Sequence, residues 1–137
     1  MHGDYGLVDT GGNNLIVLGD GSESIGGATG DTILGGTGPN QFIDGHLGHQ
    51  SITGGTAGNE TIWGAATDTV RGGSGGNETI AGVPGEMIFG SSGANVFINA
   101  TGGNQSVLGG TRSGPPPATR STAAAITKRS AASTASR

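Results

Sequence analysis

The sequence predicts an all-β chain wound as a parallel solenoid of about nine-residue half-turns, 18 residues per coil, over residues 1–110. Three observations carry that expectation. Residues 54–64, GGTAGNETIWG, return as GGSGGNETIAG at 72–82, with eight of eleven positions identical and starts 18 residues apart. A large apolar residue recurs about every nine positions. An oxygen-bearing side chain stands two positions before almost every one of those apolar residues.

Composition leaves few alternatives. The 137 residues include 31 Gly, with 31% hydrophobic and 4% aromatic content, against an average Gly share of roughly 7%. So few large side chains cannot fill a conventional core, and low hydrophobicity alone would suggest disorder. Stacked repeats escape that limit, because they bury a thin continuous core that no single repeat could form.

Taken in chain order, the apolar anchors are Leu7, Ile16, Ile25, Ile33, Phe42, Ile52, Ile62, Val70, Ile80, Ile88, Phe97 and Val107. Gaps range from 8 to 10 residues, and from Ile52 to Ile88 every second step is 18. Long and short gaps offset each other, as two half-turns of one coil would. Each anchor centres a short strand, such as Thr61-Ile62-Trp63 or Thr69-Val70-Arg71. Thr, Ile and Val favour extended backbone, and a three-residue strand points only its middle side chain inward. Glycine pairs follow many strands (26–27, 35–36, 54–55, 72–73, 109–110) and supply the positive φ that a rapid reversal needs. With strands about 4.8 Å apart, five to six coils make a rod on the order of 25–30 Å long.

After residue 110 the pattern stops. TRSGPPPATRSTAAAITKRSAASTASR, residues 111–137, has three consecutive prolines and almost no large apolar residue. It cannot bury enough surface to offset its ordering entropy, so a disordered tail is expected. Charge divides at the same boundary. All ten acids lie in 1–110 with one base, Arg71, whereas the tail has five bases and no acid.

An acidic body argues against nucleic acid, whose recognition needs Lys and Arg to displace counterions. It suits a hard cation held by oxygens, or plain solubility. Without Cys there is no disulfide, zinc-thiolate or thiol chemistry. The N-terminal residues lack a basic region and apolar stretch of the secretory type. The longest aliphatic run, Leu15–Leu18, is far short of a membrane span. No catalytic motif is present, neither HExxH, GxSxG nor a phosphate loop, so no enzymatic activity is expected. His46 and His49 have ligand-like spacing, but their segment reads as an exposed turn with no third ligand.

The position two residues before each anchor holds Asn14, Glu23, Asp31, Asn40, Gln50, Glu60, Asp68, Glu78, Glu86, Asn95 and Gln105. All eleven are carboxylates or carboxamides. Half-turns alternate, so one edge would align Glu23, Asn40, Glu60, Glu78 and Asn95. The other would align Asn14, Asp31, Gln50, Asp68, Glu86 and Gln105. Two neighbouring pairs are doubly acidic, Glu60 with Glu78 and Asp68 with Glu86.

On these residues the chain resembles the repeats-in-toxin (RTX) family, whose nonapeptide is Gly-Gly-x-Gly-x-Asp-x-U-x with U a large aliphatic. The nearest units are GGATGDTIL at 26–34 and GGTGPNQFI at 35–43. The resemblance implies a right-handed parallel β-roll, secretion, and calcium held in turns between neighbouring coils. Ca2+ takes 6–8 oxygens, which Gly-rich turn carbonyls and stacked carboxylates can supply. The expected ligands are Glu60, Glu78, Asp68 and Glu86, then Asp31 and Glu23. Departures from the family pattern are the preference for Glu over Asp and the five amides, which can ladder between coils without metal. Two functions therefore stand open: a calcium-ordered module, and a metal-independent structural or adhesion spacer. Residues after the anchors, among them Ile43, Trp63 and Ile98, should face outward and offer a surface to a neighbouring domain or a second copy.

Overall fold

A computed structural model describes residues 3–56, 58–101 and 104–108. The described residues form twelve strands and no helix: β1 (Tyr5–Val8), β2 (Leu15–Val17), β3 (Glu23–Gly26), β4 (Thr32–Leu34), β5 (Asn40–Asp44), β6 (Ser51–Thr53), β7 (Asn59–Trp63), β8 (Thr69–Arg71), β9 (Asn77–Gly82), β10 (Met87–Phe89), β11 (Asn95–Ala100) and β12 (Ser106–Leu108). Odd strands stack in order as one six-stranded sheet and even strands as a second. Every pairing is parallel between strands two apart in the chain. This is a parallel β-solenoid of about six coils. Paired residues lie 17 to 19 positions apart, as Ile16 with Ile33 and Ile33 with Ile52 show, so the 18-residue period is the coil. The tail expected over 111–137 lies outside the described residues.

Between the sheets run two aliphatic columns, Ile25, Ile43, Ile62 and Ile80 from one and Ile33, Ile52, Val70 and Ile88 from the other. All are at most 3% exposed. Burying each such side chain contributes about 1.5–3 kcal/mol, which is how a glycine-rich chain sustains a fold. Ile16 and Ile98 pack against the two ends of this core.

The columns correct two anchors. Ile43 and Ile98, expected to face outward, are the inward residues, and Phe42 and Phe97 are not. Ile43 pairs with Ile25 and Ile62, and Ile98 with Ile80. Phe97 is 41% exposed and Phe42 half-buried on the outer face. An isoleucine continues a column of isoleucines at one coil rise, whereas a phenyl ring would break it. The outward stripe thus keeps Trp63, which is exposed, and loses Ile43 and Ile98.

A second correction concerns the glycine pairs. Gly35-Gly36, Gly54-Gly55 and Gly72-Gly73 do not have positive φ. They are small because coils stack on their backbones: a methyl on Gly36 would stand 1.9 Å from the Gly19 carbonyl oxygen. Positive φ instead recurs one residue before the polar station of every even half-turn, at Asn13, Gly30, His49, Thr67, Gly85 and Asn104, and is found besides at Gly3, Gly48 and Gly58. Asn and Gly enter this left-handed region readily, but a β-branched residue is strained there. Thr67 (φ 73°) is the misfit in the column. Replacing it with Asn is expected to raise stability by about 1 kcal/mol, read from the urea midpoint. An unchanged or lower midpoint would refute the strain.

Candidate functional site

Most of the polar stations lie inside the solenoid, at its two inner corners, while Asn14 in the first coil is exposed. In the odd sheet, register aligns Glu23, Gln41, Glu60 and Glu78, with Val96 next. In the even half-turns, Asn14, Asp31, Gln50, Asp68, Glu86 and Gln105 each stand one residue ahead of a three-residue strand, and the pairing of those strands aligns them. Glu23, Asp31, Gln41, Gln50, Glu60, Asp68, Glu78 and Glu86 are all buried.

This moves two stations. Asn40 and Asn95, expected in the odd row, are exposed and one residue away from it, and Gln41 and Val96 occupy their places. The shift follows from the Phe42 and Phe97 corrections. Aligning NQFI (40–43), NETI (59–62), NETI (77–80) and NVFI (95–98) places the inward isoleucine fourth in each. The string NETI already contained that signal. Outside the odd corner, the first residues of these strings form an asparagine ladder. Asn95 Nδ2 donates to Asn77 Oδ1 (2.7 Å), Asn77 to Asn59 (2.8 Å) and Asn59 to Asn40 (3.1 Å).

The buried carboxylates cap the turns. Asp68 Oδ2 accepts from Ala65 N–H in its own turn (2.7 Å), and Oδ1 accepts from Gln50 N–H one coil earlier (2.8 Å). Asp31 repeats the bridge, to Ala28 (2.6 Å) and Asn14 (2.9 Å). In the odd row the turn is wider, and the acceptor must reach back four or five residues. Glu23 accepts from Gly19 (2.7 Å), Gln41 from Gly36 (3.0 Å), Glu60 from Gly55 (2.8 and 2.9 Å) and Glu78 from Gly73 (3.0 Å). This difference in reach explains why both aspartates among the stations, Asp31 and Asp68, stand in the even row while the odd row uses Glu or Gln. The even row also holds longer side chains: the Gln50 amide is buried without a hydrogen-bond partner, and Glu86 reaches back only three residues to Val83 N–H (3.0 Å). Its longer side chain leaves Oε1 buried without a hydrogen-bond partner. Glycines provide the space these head groups occupy. A methyl on Gly64 would stand 1.8 Å from Glu86 Oε1, and one on Gly72 would stand 2.4 Å from Glu78 Oε1.

Burial makes the acids reluctant to ionise. Desolvation pushes Glu60 up to about 7, opposed by the Gly55 N–H and reinforced by Glu78. Desolvation likewise pushes Glu86 up to about 7, with Asp68 adding in the same sense. Asp68 is raised too, chiefly by burial and against its two N–H donors. These are the effects of a dry pocket and of a like charge one coil away.

Of the sequence-derived candidates, the fold brings Glu60 into register with Glu78 and Asp68 with Glu86. Glu23 and Asp31 stand apart from those pairs, separated by Gln41 and Gln50 respectively. Among the described residues, no group of three or more His, Cys, Asp or Glu side chains is placed to hold a metal ion. His46 and His49 are exposed, and His46 Nδ1 sits 3.1 Å from Asp44 Oδ1. No helix among the described residues is long and apolar enough to cross a membrane. No family model, curated protein or solved structure matches the chain.

Proposed function

We propose that the body is a metal-independent structural solenoid, a stiff spacer that keeps its own shape and presents its outer faces to a partner. One observation carries this reading. Each carboxylate that the RTX resemblance would give to calcium accepts from at least one turn N–H, and Asp31 and Asp68 each tie two coils together. The amide of Gln41 fills an equivalent place, its Oε1 accepting from Gly36 N–H, and a neutral amide can cap a turn N–H as a carboxylate does. The cap therefore needs an oxygen acceptor and no charge.

A second reading, the calcium-binding module of a secreted protein, is favoured by Glu78 Oε2 and Glu86 Oε1. Both are buried without a partner, each beside another acid in its row. Glu60, Glu78, Asp68 and Glu86 would then supply oxygens to Ca2+. Circular dichroism and calorimetry in chelator, then in millimolar calcium, separate the two. The spacer is expected to show the same β-sheet spectrum in both, with no binding heat and an unchanged melting temperature. A specific ion present at 100 times its Kd would add about 2.7 kcal/mol. A chain that folds only when calcium is added ends the spacer reading.

A further inference from the structure

The outer face of the odd sheet carries a trough of about 520 Å3 that crosses β1, β3, β5 and β7. Side chains two residues apart in a strand point to the same face, and this alternation builds the two walls. One is polar and repeats at every coil: Asp4, Ser22, Asn40 and Asn59. The other is Gly6, Ser24, Phe42 and Thr61. The floor is strand backbone. Above Gly6 the space is open, with nothing within 4 Å of a methyl placed there. Phe42 is held by Trp63, the only tryptophan, whose ring meets it edge-on with centroids 5.1 Å apart.

The chemistry of the two walls selects the ligand. Asn59 spends one N–H on Asn40 and one lone pair on Asn77, and Asn40 spends one lone pair on Asn59 and one N–H on Ser22 Oγ (3.5 Å). A primary amide has two donors and two lone pairs, so Asn40 and Asn59 each keep bonding capacity for a ligand. These groups advance by about 4.8 Å per coil, roughly one sugar ring of an extended glycan. Charge points the same way. No base lines the trough, and its rim carboxylate, Asp4, already accepts from Ser22 N–H (2.9 Å). Anionic polymers find no counter-charge there. A ligand that is uncharged, rich in hydroxyls and apolar on its ring faces matches both walls, because aromatic rings pack apolar faces while amides orient hydroxyls.

We propose that this trough binds a neutral glycan chain, seated along the solenoid axis with hydroxyls on the Asn40 and Asn59 amides and a sugar face against Phe42. The inference goes beyond the spacer reading and holds whether or not the interior takes up a cation.

The test uses the full chain, with neutral hexasaccharides of glucose and of N-acetylglucosamine titrated against Trp63 fluorescence. Electrophoresis through gels containing neutral or acidic polysaccharide runs alongside. The expected result is a saturable fluorescence change and retardation by at least one neutral polymer. Two variants should each weaken binding tenfold or more: Phe42→Ala, which removes the platform, and Ser24→Arg, which fills the trough from an exposed position. Circular dichroism confirms that each variant is folded. Failure of every neutral glycan to bind overturns the proposal. So does binding unaffected by Ser24→Arg, or retardation confined to acidic polysaccharide.

Discussion

Stability is expected to fall by about 3 kcal/mol as pH rises from 5 to 8, the reverse of ordinary loss in acid. In the folded chain Glu60 and Glu86 are pushed up to about 7 from an ordinary 4.5. The folded state therefore holds protons that the unfolded chain has released. Their contribution is complete below about 4.5 and is lost as pH climbs through about 7. Unscreened, each shift corresponds to about 3 kcal/mol. Solvent close to a thin coil wall reduces this to about 1.5 kcal/mol per group. Asp68, also raised by burial, acts in the same direction. Urea unfolding followed by circular dichroism at stepped pH measures the slope. Glu60→Gln with Glu86→Gln supplies the control, since Gln keeps the acceptor for Gly55 and Val83 N–H while having nothing to ionise. The double variant should lose most of the slope and exceed the parent at pH 8 by about 2–3 kcal/mol. A parent whose stability is flat or rising over this interval refutes the account of the acid rows.

Gly73→Ala is expected to cost about 3 kcal/mol. A methyl there would lie 1.9 Å from the Gly55 carbonyl oxygen and 2.8 Å from its nitrogen. These are backbone atoms of the coil beneath, so the overlap cannot be relieved by turning a side chain. The coils would have to separate where Ser74 N–H and Ser92 N–H donate to the Gly55 and Gly73 carbonyls. Gly6→Ala is the matched control, with open space around the added methyl and an expected change within about 0.5 kcal/mol. Equal losses at both positions would mean that glycine matters here for backbone freedom rather than for coil spacing.

Much of the fold was legible before any coordinates. The repeated NETI strings give the coil length, because a solenoid must return the same residue to the same place once per lap. The row of acids and amides was legible for the same reason, and Glu60 beside Glu78 follows from their 18-residue separation alone. Phe42 against Ile43 was ambiguous. Adjacent apolar residues in a strand face opposite sides, and a shift of one residue inverts every side chain. Only stacking on Ile25 and Ile62 decides between them.

The sequence by itself determined the period, the two strands per coil and nine of the eleven polar stations, since these are properties of spacing and composition. Tertiary structure alone decided where the carboxylates aim. An acid in a tight turn can face outward toward a cation or inward toward N–H groups, and its sequence neighbours are the same in both cases. The outcome depends on where the next coil puts its unpaired N–H donors, as with Gln50 above Asp68. It was likewise the stacking of coil on coil, at a distance that leaves no room for a methyl group, that made the paired glycines spacers rather than hinges.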